Sequence, residues 1–198
     1  MPELCAPVVL TDAHVELRPL HPDHLDGLIA AASDGELWNL WYTLIPEPEH
    51  MAAEIERRLE LQAKGQMVPF TVISPANGRI VGMTTYMHID AVNLRLEIGG
   101  TWYARSAQRG PLNTEAKRLL LARAFDDLDC IAVELRTHAM NQQSLRAIER
   151  LGAKLDGVLR SHQRTRNGAL RDTCVYSITA AEWPTVRANL DWQLERPR

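Results

Sequence analysis

Two Asn-Gly pairs constrain this chain most. Asn77-Gly78 separates an apolar run at residues 70–73 from another at 80–88, and Asn167-Gly168 separates residues 154–166 from 170–178. Asn-Gly meets the positive-φ demands of a tight hairpin turn, so each pair predicts two antiparallel strands. A third strand-like run at 94–103 follows the first hairpin. Before the second hairpin come a helix through Leu119, Leu120, Leu121, Phe125 and Leu128, then a strand in which Ile131, Val133 and Leu135 alternate. A second helix follows, with Leu145, Ile148 and Leu151 at helical spacing and a stop at Leu151-Gly152.

The rest of the chain extends this pattern. Residues 8–20 carry a strand ending Leu17-Arg18-Pro19-Leu20, and a helix through Leu25, Leu28 and Ile29 comes after it. A charged helix is predicted from about 51 to 64, ended by Gly65. Thr179-Ala180-Ala181-Glu182 has capping-box spacing and should open a terminal helix. The predicted order is strand, two helices, three strands, helix, strand, helix, two strands, helix. That order is an α+β fold with a mixed central sheet of about seven strands, and no linker divides residues 1–198, so one domain is expected.

Composition narrows the function. A chain of 198 residues carries one substantial core, and 22 basic against 25 acidic side chains give a net charge of −3. That balance argues against a nucleic-acid or membrane-surface binder. No apolar run reaches the length of a membrane span, and the N-terminus has Glu3 and no basic region, so a cytoplasmic protein is expected. Cys5, Cys130 and Cys174 are odd in number and lack metal-ligand spacing, which argues against a disulfide framework or a zinc site; no metal is expected.

Polar chemistry is concentrated in the run from Asn141 to Ala153, closed by Asp156-Gly157. Asn141 is an N-cap candidate for the helix that follows, and Ser144 sits in its first turn. An Asn, a Ser three residues on and a Leu-Gly one helix later resemble the last motif of the GNAT acyl-CoA N-acyltransferases, in their RimJ/RimL-type branch. The opening Leu17-Arg18-Pro19-Leu20 and the order of elements match that family over essentially the whole chain. The resemblance implies the GNAT fold and acetyl-CoA as acyl-donor cosubstrate. It also implies transfer of acetyl to a primary amine, of a protein N-terminus or a small molecule, directly in a ternary complex. No cysteine stands where a nucleophile would be needed. A homodimer is left open.

Site residues follow from the same resemblance. In the loop Gln108-Arg109-Gly110-Pro111-Leu112-Asn113-Thr114-Glu115-Ala116, backbone amides at a helix N-terminus would hold the pyrophosphate. Pro111 and Asn113 stand where the family has Gly and Gly/Ala. Pro111 contributes no amide hydrogen, which leaves the amides of Gly110, Leu112 and Asn113. Arg105 and Arg109 flank the loop for phosphate contacts, and Lys117 is either a third such group or a solvated charge. Gly99-Gly100, in Glu97-Ile98-Gly99-Gly100-Thr101, would permit a strand bulge and close approach of the pantetheine arm at Gly99. Glu97 is the candidate base, with pairing to Arg95 or another basic residue as the alternative. Asn141 would hold a pantetheine amide, and Ser144 would contact the coenzyme sulfur and assist its protonation. Tyr86 and Tyr103 are either rival proton donors or packing aromatics.

Trp38, Trp41 and Tyr42 would line the acceptor pocket or anchor one helix face in the core. His88, His138 and His162 receive no role. The altered phosphate loop also allows a different class of protein, a non-catalytic acyl-CoA-binding sensor or interaction module.

Overall fold

The computed structural model describes residues 4–196; Glu3 lies outside them. The strands are β1 (Leu10–Thr11), β2 (Glu16–Pro19), β3 (Met67–Ser74), β4 (Arg79–Asp90), β5 (Arg95–Tyr103), β6 (Ala132–His138), β7 (Lys154–Arg164) and β8 (Leu170–Thr179). The helices are α1 (Leu25–Ser33), α2 (Met51–Ala63), α3 (Leu112–Ala122), α4 (Gln142–Arg150) and α5 (Trp183–Glu195). All strands join one sheet in the order β1-β2-β3-β4-β5-β6-β8-β7. Every neighbour is antiparallel except β5 and β6, which run parallel across the α3 connection.

The sheet has eight strands rather than about seven because the expected 8–20 strand is a small hairpin. Asp12 Oδ1 accepts from Ala13 N at 2.8 Å and Asp12 N donates to Val15 O at 2.9 Å, so the Asp side chain turns the backbone and pairs Leu10 with Leu17. The turn is tied to α3: His14 N donates to Glu115 Oε2, and Arg118 pairs with Asp12.

Both faces of the sheet are covered. Phe70, Leu96, Ile98, Val133 and Ile178 pack with Leu120, Leu121, Ile148 and Leu190 from α3, α4 and α5. On the opposite face Met83 and Trp102 pack with Leu28 of α1 and Met51 and Ile55 of α2. This two-sided burial is why β3 is buried along nearly its whole length instead of alternating. The turn after Asn77 is closed by Gly78 N on Ser74 O, and Gly168 N bonds Thr165 O in the second hairpin. Glu182 Oε2 accepts from both the amide and the hydroxyl of Thr179 ahead of α5, so the capping-box spacing marks a real helix start.

Candidate active site

The sheet opens between β5 and β6. Their parallel pairing covers only Arg95 with Ala132, Leu96 with Val133 and Glu97 with Glu134. Beyond that point, among the described residues, β5 continues to Tyr103 with β4 as its one strand partner, and β6 continues to His138 with β8 as its one strand partner. The two strands therefore diverge as a wedge with a free backbone edge on each side. The cause lies in β5. Thr85 pairs with Gly99 and Met83 with Trp102, so Gly100 and Thr101 together oppose Thr84 alone. That is the expected bulge, and Gly100 at φ +57° takes the left-handed conformation that it requires.

Two helix N-termini face the open end. Glu115 N makes the first intrahelical bond of α3, to Pro111 O at 3.0 Å, which leaves the amides of Leu112, Asn113 and Thr114 without helical partners. Pro111 is the N-cap at φ −70°, so the family's glycine is replaced where a ring fits the helix start. Asn141 Oδ1 accepts from Ser144 N at 3.1 Å, so the capping reading of Asn141 holds. Gln108 bridges the wedge: its Nε2 donates to Tyr103 O at 2.9 Å and its Oε1 accepts from Gln143 Nε2 at 3.2 Å. Gln108, Gly110, Leu112, Asn113, Asn141 and Ser144 are thus gathered at one end of the sheet, with the Leu112 side chain in the core.

The basic residues separate. Arg105 and Arg109 are exposed on the loop, and neither pairs with a carboxylate among the described residues. The Arg105 side chain lies against Gly35 at the end of α1. Lys117 is neither a phosphate contact nor a solvated charge. It points inward, donating to Thr101 Oγ1 at 2.7 Å beneath the bulge, because position 117 falls on the sheet-facing side of α3. Burial pushes its ammonium down to about 7. Arg58 of α2 reaches the bulge from the opposite face. It is held by Glu54 at 2.7 Å and donates to Thr85 Oγ1 at 2.6 Å, and its guanidinium lies 3.1 Å from where a Cβ on Gly100 would be.

Glu97 is 5% exposed. Its two oxygens have different surroundings. Oε2 accepts from His88 Nδ1 at 2.8 Å and lies 3.4 Å from Arg136 Nε, whereas Oε1 faces Gly99, 2.5 Å from the place a Cβ there would occupy. Arg95 is not its partner, since Arg95 bonds Glu134 at 2.9 Å. Burial works against the Glu134 charge, but Arg136 and Arg95 together outweigh it and hold that carboxyl below its usual range. The hydrogen bond that His88 donates to Glu97 raises the imidazole above its usual range.

The tyrosines pack. Tyr86 donates to Leu120 O at 2.5 Å, and the Tyr103 hydroxyl is fully buried with no partner among the described residues. Burial raises both phenols. Cys130 and Cys174 are buried free thiols, as expected for small apolar fillers.

The aromatic segment is not one helix face. Leu37–Asn39 is a single 3₁₀ turn whose Trp38 packs on the α1/α2 core, while Trp41 beyond it, 46% exposed, stacks edge-on against His138 at 5.1 Å and Tyr42 at 5.6 Å. Trp41 is therefore the member of the trio that stands at the end of β6 beside the wedge. His138 Nδ1 accepts from Met140 N, and its Nε2 is buried without a partner among the described residues.

Sequence reasoning passed over His88, Arg58 and His138. His88 reaches Glu97 only because β4 carries an extra residue between the Met87–Glu97 and Asp90–Arg95 pairs, with His88 at φ +49°. Strict alternation would have turned it away.

Comparison with known proteins agrees with this geometry. A family model described as an acetyltransferase (GNAT) domain matches residues 14–154. The crystal structure of a GCN5-related N-acetyltransferase from Brucella melitensis superposes with a TM-score of 0.85 and 32% identity, covering 96% of this chain and 86% of that one. RimJ of Mycobacterium smegmatis, in complex with CoA-disulfide, gives a TM-score of 0.82 over 96% of each chain at 19% identity, a likeness of fold. YdaF of Bacillus subtilis, provisionally named a ribosomal N-acetyltransferase, is 31% identical over 107 residues, 54% of this chain and 57% of YdaF, so the match spans little more than half of that relative. With a family model matched over most of its length, the chain belongs to the GNAT acetyltransferases.

Proposed function

We propose that the protein is an acetyl-CoA-dependent N-acetyltransferase acting on a primary amine, of a protein N-terminus or a small molecule, by direct transfer in a ternary complex. The observation that carries this reading is the divergence of β5 and β6 just beyond Glu97, with a bulge on one edge and two helix N-termini at the open end. Among the relatives, RimJ was crystallised with a CoA disulfide and YdaF bears a ribosomal name, which favours a coenzyme in the wedge and a protein N-terminus as acceptor.

In this reading the pantetheine arm lies between the strand edges, near Gly99 and Asn141. The pyrophosphate sits on the amides of Gly110, Leu112 and Asn113, with Arg105 and Arg109 beside it. Glu97 Oε1 takes a proton from the acceptor ammonium, and the free amine attacks the thioester carbonyl, which an amide of the bulge polarises. The C–N bond forms, the C–S bond breaks, and the thiolate receives the second amine proton with help from Ser144. Trp41 and Tyr42 border the acceptor, with Trp38 supporting them.

The test is release of free thiol from acetyl-CoA in the presence of N-terminal peptides and small primary amines, with CoA binding followed by calorimetry. Acceptor-dependent thiol release supports the enzyme. CoA binding without release for any acceptor would instead indicate the sensor role, and no CoA binding would refute both.

A further inference from the structure

The two Glu97 oxygens are not equivalent, and His88 makes the difference. Oε2 is anchored by the His88 imidazole at 2.8 Å, while Oε1 is bonded by no described residue and faces Gly99 at the edge of the bulge. The anchor is a built feature. His88 occupies a left-handed backbone conformation at φ +49°, inside a strand irregularity that places an exposed ring against a buried carboxylate. Resting on the acetyltransferase reading, we infer that His88 is a positioning residue for Glu97: it holds Oε2 so that Oε1 is presented to the acceptor amine.

The pH dependence follows from the charges around the pair. Glu97 from β5, Glu134 and Arg136 from β6, Arg171 from β8 and Lys117 from α3 act on these two residues, and Arg95 pairs with Glu134 beside them. The arginines stay charged across the working range. A protonated His88 adds a full positive charge beside the site and repels the acceptor ammonium, whereas a neutral His88 still donates one hydrogen bond to Oε2 without that charge. Turnover should therefore rise with pH through the His88 titration, which the Glu97 hydrogen bond places above the usual imidazole value. Lys117 titration is common to all the variants below.

The experiment compares His88→Asn and His88→Ala with the wild type. Asn tolerates the left-handed conformation and keeps a donor for Oε2 but does not titrate. His88→Asn should hold kcat within about threefold of the wild-type plateau and lose the inflection assigned to His88. His88→Ala should lower kcat at least about tenfold, with unchanged CoA affinity by calorimetry. In a Glu97→Gln background, His88→Ala should have no further effect. Wild-type kcat in His88→Ala, or a pH profile of His88→Asn superposable on that of the wild type, would overturn the inference. A wild-type protein that releases no thiol with any amine would overturn the acetyltransferase reading and this inference with it, a result distinct from both.

Discussion

Replacing Lys117 with Met should stabilise the protein at neutral pH. The ammonium titrates at about 7 in the fold against 10.5 for an ordinary lysine, with burial as the leading cause and the Glu97 charge opposing it. Between those values the unfolded chain binds more protons than the folded one, so wild-type stability rises with pH across this window and is flat below it. At about 1.4 kcal/mol per unit, the cost of keeping this lysine buried at pH 7 comes to roughly 4 kcal/mol. Met fills a similar volume without charge. It gives up the hydrogen bond to Thr101 and a weaker contact to Thr84, worth about 1 kcal/mol each. The net expectation for Lys117→Met is a gain of roughly 2 kcal/mol at pH 7, turning into a loss of about 2 kcal/mol near pH 10.5. Urea unfolding of both proteins at pH 6, 7, 9 and 10 measures it. A Met variant less stable than wild type at pH 7, or a difference that does not change with pH, would show that Lys117 carries no such burial cost.

Three further outcomes follow from the geometry. Gly82→Ala should cost about 3 kcal/mol or more in urea unfolding, because the new Cβ would meet Trp102 O at 2.1 Å, backbone against backbone across β4 and β5. Gly157→Ala has open space around it and should change stability by less than about 0.5 kcal/mol in the same assay. Asn141→Ala removes the cap on α4 and should cost about 1 kcal/mol while also weakening CoA binding by calorimetry; a stability loss with unchanged CoA affinity would confine Asn141 to capping.

The layout was legible wherever a local rule decided it. Asn77-Gly78 and Asn167-Gly168 marked real hairpins, Gly65 and Gly152 closed helices, and Gly99-Gly100 marked the bulge on which the wedge depends. The eighth strand was not legible: at Asp12 a side-chain hydrogen bond turns the chain and makes a short hairpin of β1 and β2. The candidate residues that the structure brings together are those on continuous motifs, from Gln108 to Asn113 and from Asn141 to Ser144. Site residues were not legible where a contact depends on register. Lys117 looked like a loop cation, but its helix phase sends it under the sheet. Arg58 lies 27 residues from the Thr85 it bonds, and His88 meets Glu97 only through an irregular β4. Trp38, Trp41 and Tyr42 looked interchangeable because the turn that separates them has no periodic signature.

The most direct test of the central account is the rate of thiol release from acetyl-CoA with a panel of N-terminal peptides and small amines, for wild type and Glu97→Gln side by side. The account predicts acceptor-dependent release by the wild type and at least a hundredfold lower kcat for Glu97→Gln at unchanged CoA affinity. Equal turnover by the two proteins would contradict the role of Glu97, and no release by the wild type with any amine would contradict acetyl transfer itself.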